Sequence, residues 1–400
     1  ETPCTISHVA VQMGHEERDE EHAHLAKLCA QFGAAPPATG ASCFYQTLGD
    51  FELRWERHTE FSTYTFIRKT DADPLREPSA LSLIPEAWLS TLPGRATTAL
   101  HLAFRSAEGP PDPADLSRYF EKHALRGSLV RQGTAYLYSG FRLHSDGFGR
   151  IVLQARSLTP LQAGRLVQRV LEIETYRVMA LLALPVARSI TPEVGAMERE
   201  LAHVNEALTE ADAETDQHAL LDELSNLAAR VERMRSDTTY RFAATNAYFD
   251  LVRERNRELT EEKIPGLQPI HVFIKRRLAP GIRTCNAVRD RLDHLSRRIS
   301  QTSSLLRARV ELSMQGQNRE LLASMNERSE TQLRLQQAVE GLSVVAITYY
   351  LMGLLSYVWE GVVWAGWAWS VKLAFAFAVP GILLIAWRII HGGKRRVRGR

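Results

Sequence analysis

Between Gly341 and Trp387 the chain carries only two charged side chains, Glu360 and Lys372, across 47 residues. One bilayer crossing takes about 20 residues, so this stretch is long enough for two helices and a turn. Gly341–Trp359 is a charge-free run of 19, and Lys372–Ile390 is apolar apart from Lys372 and Arg388. Pro380 interrupts the second run, which a membrane helix tolerates when neighbours satisfy the freed carbonyl. Trp359, Trp364, Trp367 and Trp369 crowd the connection, where indoles suit the headgroup level. Arg328 and Arg334 precede the first run, and Lys394, Arg395, Arg396, Arg398 and Arg400 follow the second. The positive-inside rule then places both ends in the cytoplasm, with a bacterial inner membrane as the expected location. The competing reading is a buried helical hairpin in a soluble protein.

The remaining chain divides by pattern into a large folded region and long charged helices. Residues 1–158 read as an α/β domain. Strands are predicted at Thr5–Val11, Phe51–His58, Phe61–Arg68, Ala96–Phe104, Ser128–Tyr138 and Arg150–Arg156, and helices at Glu17–Phe32 and Pro113–Lys122. Thr159 as N-cap before Pro160 starts a further helix, expected to stop at Pro185 and bury its charge-free half, Val178–Leu184. Residues 159–190 are thus a buried connecting helix and 191–340 a charged helical stalk. Residues 341–390 are two transmembrane helices, and 391–400 a basic cytoplasmic tail.

Within the stalk the charge changes sign. Residues 193–262 hold 17 acidic and 8 basic side chains, and 263–340 hold 7 and 14. Arms of opposite sign around Ile264-Pro265-Gly266 predict an antiparallel helical pair. Leu292, Leu295, Ile299, Thr302, Leu306 and Val310 recur at 3,4 spacing, a coiled-coil-like seam. That seam fits one intramolecular hairpin or a homo-oligomeric stalk. The predicted fold class is therefore α+β, with an N-terminal α/β domain, long antiparallel charged helices and a C-terminal two-helix transmembrane hairpin.

No Walker-type loop, GxGxxG, HExxH or GxSxG occurs, and Gly147 and Gly149 read as a turn, so no catalytic residue and no cofactor are assigned. Cys4, Cys29, Cys43 and Cys285 form no CxxC pair and suit free thiols in a reducing compartment. The net charge of +3 gives no reason to expect nucleic acid as a partner. His15, His22 and His24 lie among carboxylates in a pattern that includes metal-ligand types. One helix start offers poor convergence, however, and a solvated acidic first turn explains the same residues. Glu56, Arg57, His58 and Glu60 pack acid, base and imidazole into a hairpin turn. Strand alternation puts Arg54, Glu56 and His58 on one face, away from Leu53 and Trp55, which suits ion pairing more than catalysis. Glu172 and Glu174 have arginines at helix-pair spacing. A polar stripe of Ser343, Tyr350, Gly353 and Tyr357, ending near Glu360, runs along the first apolar helix. It either packs against a neighbouring helix or lines a pore.

Three strings resemble a family of bacterial predicted membrane-anchored proteins whose function is not established. They are Trp55–Phe66 (WERHTEFSTYTF), Gln162–Tyr176 (QAGRLVQRVLEIETY) and Leu333–Tyr350 (LRLQQAVEGLSVVAITYY). The resemblance implies an anchored protein of this layout and no activity. A second likeness, of architecture only, is to CorA-type divalent-cation channels, whose Gly-Met-Asn signature is replaced here by Gly353-Leu-Leu-Ser-Tyr-Val-Trp-Glu360. The leading expectation is a non-enzymatic anchored protein working in assembly or partner binding, with the lipid bilayer as its first partner. A cation channel with a Glu360 ring and a membrane-tethered metal-dependent enzyme are the alternatives.

Overall fold

The fold was analysed from a computed structural model that describes residues 3–14, 17–210, 214–364, 379–382, 384, 385 and 388. Two compact units divide the chain, Glu1–Ser304 and Leu305–Arg400.

In the first unit, chain order begins β1 (Cys4–Gln12), α1 (Glu17–Gln31), β2 (Cys43–Leu48), β3 (Phe51–Arg57) and β4 (Phe61–Lys69). It continues through α2 (Glu86–Ser90), β5 (Arg95–Ser106), α3 (Pro113–Tyr119), β6 (Arg126–Val130), β7 (Ala135–Leu143) and β8 (Gly149–Ala155). Then come α4 (Pro160–Leu181), α5 (Ala183–Glu210), α6 (Glu214–Glu258), β9 (Glu262–Lys263) and the start of α7 (Ile270–Trp364), whose residues from Leu305 on belong to the second unit. The nine strands form one sheet in the order β2-β3-β4-β1-β5-β8-β7-β6-β9. Among the strand pairs of the described residues, β5–β8 alone is parallel.

Both sheet faces are covered, which is why β1 reads as nearly continuous burial. On one face Leu25 and Leu28 of α1 and Trp88 of α2 join Val9, Val11, Trp55, Tyr64 and Phe66 in one core. On the other, Ile6, Leu102, Phe104, Ile151 and Leu153 pack with Leu166, Val170 and Ile173 of α4 and with Val252, Ile270 and Ile274. α4 starts with a full capping box: Gln162 N donates to Thr159 Oγ1, and Thr159 N donates back to Gln162 Oε1.

Several expected boundaries are corrected. The predicted strand Ser128–Tyr138 is two strands, because Arg131, Gln132 and Gly133 all take positive φ (54°, 58° and 79°) and reverse the chain. The helix predicted to reach Lys122 stops at Tyr119, since Glu121 and Lys122 are left-handed (φ 51° and 60°). α4 ends at Leu181, and Pro185 does not end a helix but sits in the first turn of α5, where its missing N–H costs nothing. Met179 and Ala180 are buried as expected of the charge-free half, Met179 beside Ala10 and Phe61. The acidic start of α1 is not a wholly solvated surface either: Glu21 is fully buried and His24 nearly so.

α5, α6 and the first part of α7 make three side-by-side helices. Glu200 pairs with Arg230 at 2.8 Å, setting α5 antiparallel to α6. Arg235–Asp293 (3.0 Å), Ser296–Glu232 (2.6 Å) and Asn246–Asn286 (2.9 Å) set α6 antiparallel to α7. Arg291–Glu198 (2.6 Å) and Thr302–Asn205 (3.0 Å) tie α7 to α5. The acidic arm is thus two helices rather than one. Exposed ion pairs contribute little; the buried seam residues Leu292, Leu295 and Ile299 carry the packing.

In the second unit every residue from 314 to 339 is exposed. Beyond it Leu342, Val345, Ile347, Leu354 and Val358 are also exposed. α7 is long and apolar enough to cross a membrane. The second predicted span, Lys372–Ile390, lies mostly outside the described residues, so a two-helix hairpin is not seen.

Candidate functional site

Alternation along three strands and periodicity along one helix leave a cavity between them. β1 turns Cys4, Ile6 and His8 toward α4, and β4 turns Thr63, Thr65, Ile67 and Lys69 the same way. β3, whose Leu53 and Trp55 fill the opposite core, presents Glu52, Arg54 and Glu56. α4 closes the space with Ala163, Val167, Gln168, Leu171, Glu172 and Thr175, which recur at three- and four-residue spacing. The cavity has a volume of about 420 Å³. Ile6, Ile67, Phe104, Leu158, Val167 and Leu171 form an apolar stretch of the lining, His8, Thr63, Thr65 and Thr175 a polar one, and the charged side chains of β3 close one side.

His8 lies at the polar end of the floor. Its Nδ1 is 2.8 Å from Thr65 Oγ1 and its Nε2 is 3.0 Å from Thr175 Oγ1. Burial pushes its pKa down to about 3, so the ring is neutral near pH 7. Each nitrogen is already engaged by a hydroxyl, which leaves this imidazole a fixed polar post. Burial also holds the His58 imidazole below its usual range, where it stacks on Phe61 at 4.4 Å. The Cys4 thiol is pushed up to about 11, chiefly by burial, and stays protonated.

The rim is a chain of paired charges. Arg54 Nη2 donates to Glu56 at 2.7 Å, and Lys69 pairs with Glu52 at 2.8 Å. Arg54 Nη1 also donates to Gln168 Oε1 at 3.4 Å, and Gln168 Nε2 donates to Glu172 at 2.9 Å. Arg255 of α6 meets the second Glu172 oxygen at 2.5 Å and Glu258 at 3.0 Å, and Glu258 also accepts from Arg169. Each of the rim carboxylates Glu52, Glu56 and Glu172 thus faces a cation. Acid–base chemistry asks for a group whose proton is free to move toward a substrate. Here the charged side chains of the rim are paired with one another.

Of the residues singled out in the hairpin turn, Glu56 and His58 line this cavity, while Arg57 and Glu60 do not. Arg57 turns to the opposite face, its Nε 3.1 Å from Glu21, and Glu60 accepts from Arg241 of α6 at 2.6 Å. His22 Nε2 reaches the Pro37 carbonyl and His24 Nε2 the Trp88 carbonyl, both at 2.9 Å. His15 lies outside the described residues, and among those described no three ligand-type side chains converge on a metal position. Ser343 donates to its own helix at Val339 O, while Tyr350, Tyr357 and Glu360 are exposed on α7. His8, Thr65 and Thr175 were missed by sequence reasoning. The available signal was an imidazole in register with Cys4 and Ile6 on an otherwise apolar strand face.

A family model with the description "Protein of unknown function (DUF3422)" matches residues 1–397. No curated protein and no solved structure matches the chain. The likeness to CorA-type channels therefore finds no support and is withdrawn.

Proposed function

Because the chain belongs to the DUF3422 family, whose function is unknown, we propose a role from its own geometry: a membrane-anchored, non-enzymatic protein that binds a small amphipathic molecule between α4 and the sheet. The observation that carries this reading is the cavity itself, with an apolar stretch beneath α4 beside a self-neutralised charged rim. Ligand sites are concave and mostly apolar, with a few polar groups that fix orientation.

Anchoring rests on α7. Its apolar side chains from Leu342 to Val358 are exposed within the second unit, and an exposed apolar surface of this extent calls for lipid or another apolar partner. A second crossing over Lys372–Ile390, with both ends in the cytoplasm of a bacterium, accords with the flanking arginines and lysines. The bundle seam is filled from within the chain, which favours an intramolecular stalk over assembly through Leu292, Leu295 and Ile299.

The test is native mass spectrometry of the full chain extracted from membranes in polymer-bounded lipid discs. A small molecule should remain on the wild type and be lost from Val167→Trp, which obstructs the cavity midway along α4. A wild-type chain with no adduct, from membranes and after incubation with a cell extract, would refute the reading.

A further inference from the structure

We infer that the molecule held in this cavity is a single-chain amphiphile, one acyl tail with a polar head, lying lengthwise beneath α4; this rests on the ligand-binding reading above. The shape comes first. The helix wall runs from Pro160 through Val167 and Leu171 to Tyr176, sixteen residue steps or about 24 Å at a rise of roughly 1.5 Å each. The facing strand wall runs from Phe61 to Lys69, eight steps or about 27 Å. Residues along that whole length line the cavity of about 420 Å³, so the space is elongated beneath α4, a trough. A thin, flexible chain fills such a trough, whereas a compact ring system of equal volume leaves its ends empty.

The chemistry of the floor selects further. β1 is bonded on both sides, to β4 and to β5, so its N–H and C=O groups are spent within the sheet. An extended peptide or a sugar chain beside Ile6, Ile67, Phe104, Val167 and Leu171 would find hydroxyl groups only at Thr63, Thr65 and Thr175, the last two already bonded to His8. Burying such groups without partners is costly. A methylene chain has none to lose. At the rim, the 3.4 Å Arg54–Gln168 bond is the longest link of the network, and Arg54 is 36% exposed. An anionic or zwitterionic head accepts there from Arg54 and Gln168 without breaking the shorter Arg54–Glu56 pair.

The experiment uses the full chain in native membranes and a palmitic acid probe carrying a diazirine in the tail and a terminal alkyne. After irradiation, labelled peptides are mapped by mass spectrometry. Label is expected on β1 and on α4 between Ala163 and Leu171, and also on the apolar part of α7, which serves as an internal standard. Val167→Trp and Ala163→Phe should each cut the α4 and β1 label about tenfold or more while leaving the α7 label unchanged, since hydrophobic pockets discriminate small changes of fit by factors of this order. Label on α7 alone, or trough label that persists in both variants, overturns the acyl assignment. The two failures are distinguishable: a co-purified adduct of another chemistry keeps the ligand-binding reading and removes the acyl tail, whereas no adduct removes both.

Discussion

Glu21 is the residue whose replacement tests the packing of this fold most sharply. It is fully buried, and one oxygen, Oε1, accepts from Trp55 Nε1 at 2.7 Å and from the Tyr64 hydroxyl at 2.9 Å. The other, Oε2, accepts from Arg57 Nε at 3.1 Å. Glu21→Ala leaves two buried donors unpaired at about 1–3 kcal/mol each. Arg57 keeps 22% of its side chain exposed, so water recovers part of its loss. The expected cost is about 3–5 kcal/mol, the range for breaking a buried pair. Glu21→Gln retains Oε1 for Trp55 and Tyr64 and loses only the contact to Arg57, which gives about 1–2 kcal/mol. The assay is urea unfolding of the full chain in lipid discs, followed by tryptophan fluorescence. Equal costs for the two variants, or a cost below about 1 kcal/mol for alanine, would refute the argument that Oε1 is the anchoring atom.

Three further outcomes are expected. His8 and His101 are pushed down to about 3 and about 4, in each case mainly by burial. The unfolded chain therefore binds more protons than the folded one below about pH 6.5, so stability should fall as pH drops from 6.5 toward 4; the urea midpoint at pH 5 should lie below that at pH 7.5, with a smaller gap in His8→Gln. Thr159→Ala removes one half of the α4 capping box and should cost about 1 kcal/mol in the same titration. Alkaline carbonate washing should leave the full chain in the membrane pellet and release a chain ending at Glu340, and recovery of the full chain in the supernatant would count against anchoring.

Sequence pattern reached those parts of the fold that local physics decides. The β3–β4 hairpin, the inward Trp55 and the Thr159 cap follow from period and cap chemistry within a few residues. The antiparallel setting of α6 and α7 follows from their opposite charge. The cavity was out of reach because Thr65 and Thr175 meet at His8 from positions 57 and 167 residues away in sequence. The reversal at Arg131–Gly133 was hidden because two of its three positive-φ residues are not glycine. Glu21 follows directly on the acidic first turn of α1, and nothing local in the sequence separates a carboxylate facing water from one facing the buried Trp55 indole.

The sheet takes its last strand from far down the chain. β9 pairs Glu262 with Leu129 of β6, a separation of 262 − 129 = 133 residues. At roughly 5–20 residues per second of synthesis, β6 therefore waits about 7 to 27 s on the ribosome as a bare edge before its partner exists. Bare edges invite pairing with foreign strands. During that interval Ser128 and Leu129 lack the partner they have in the finished sheet, so a chaperone that shields Arg126–Val130 is expected to raise the yield of folded chain.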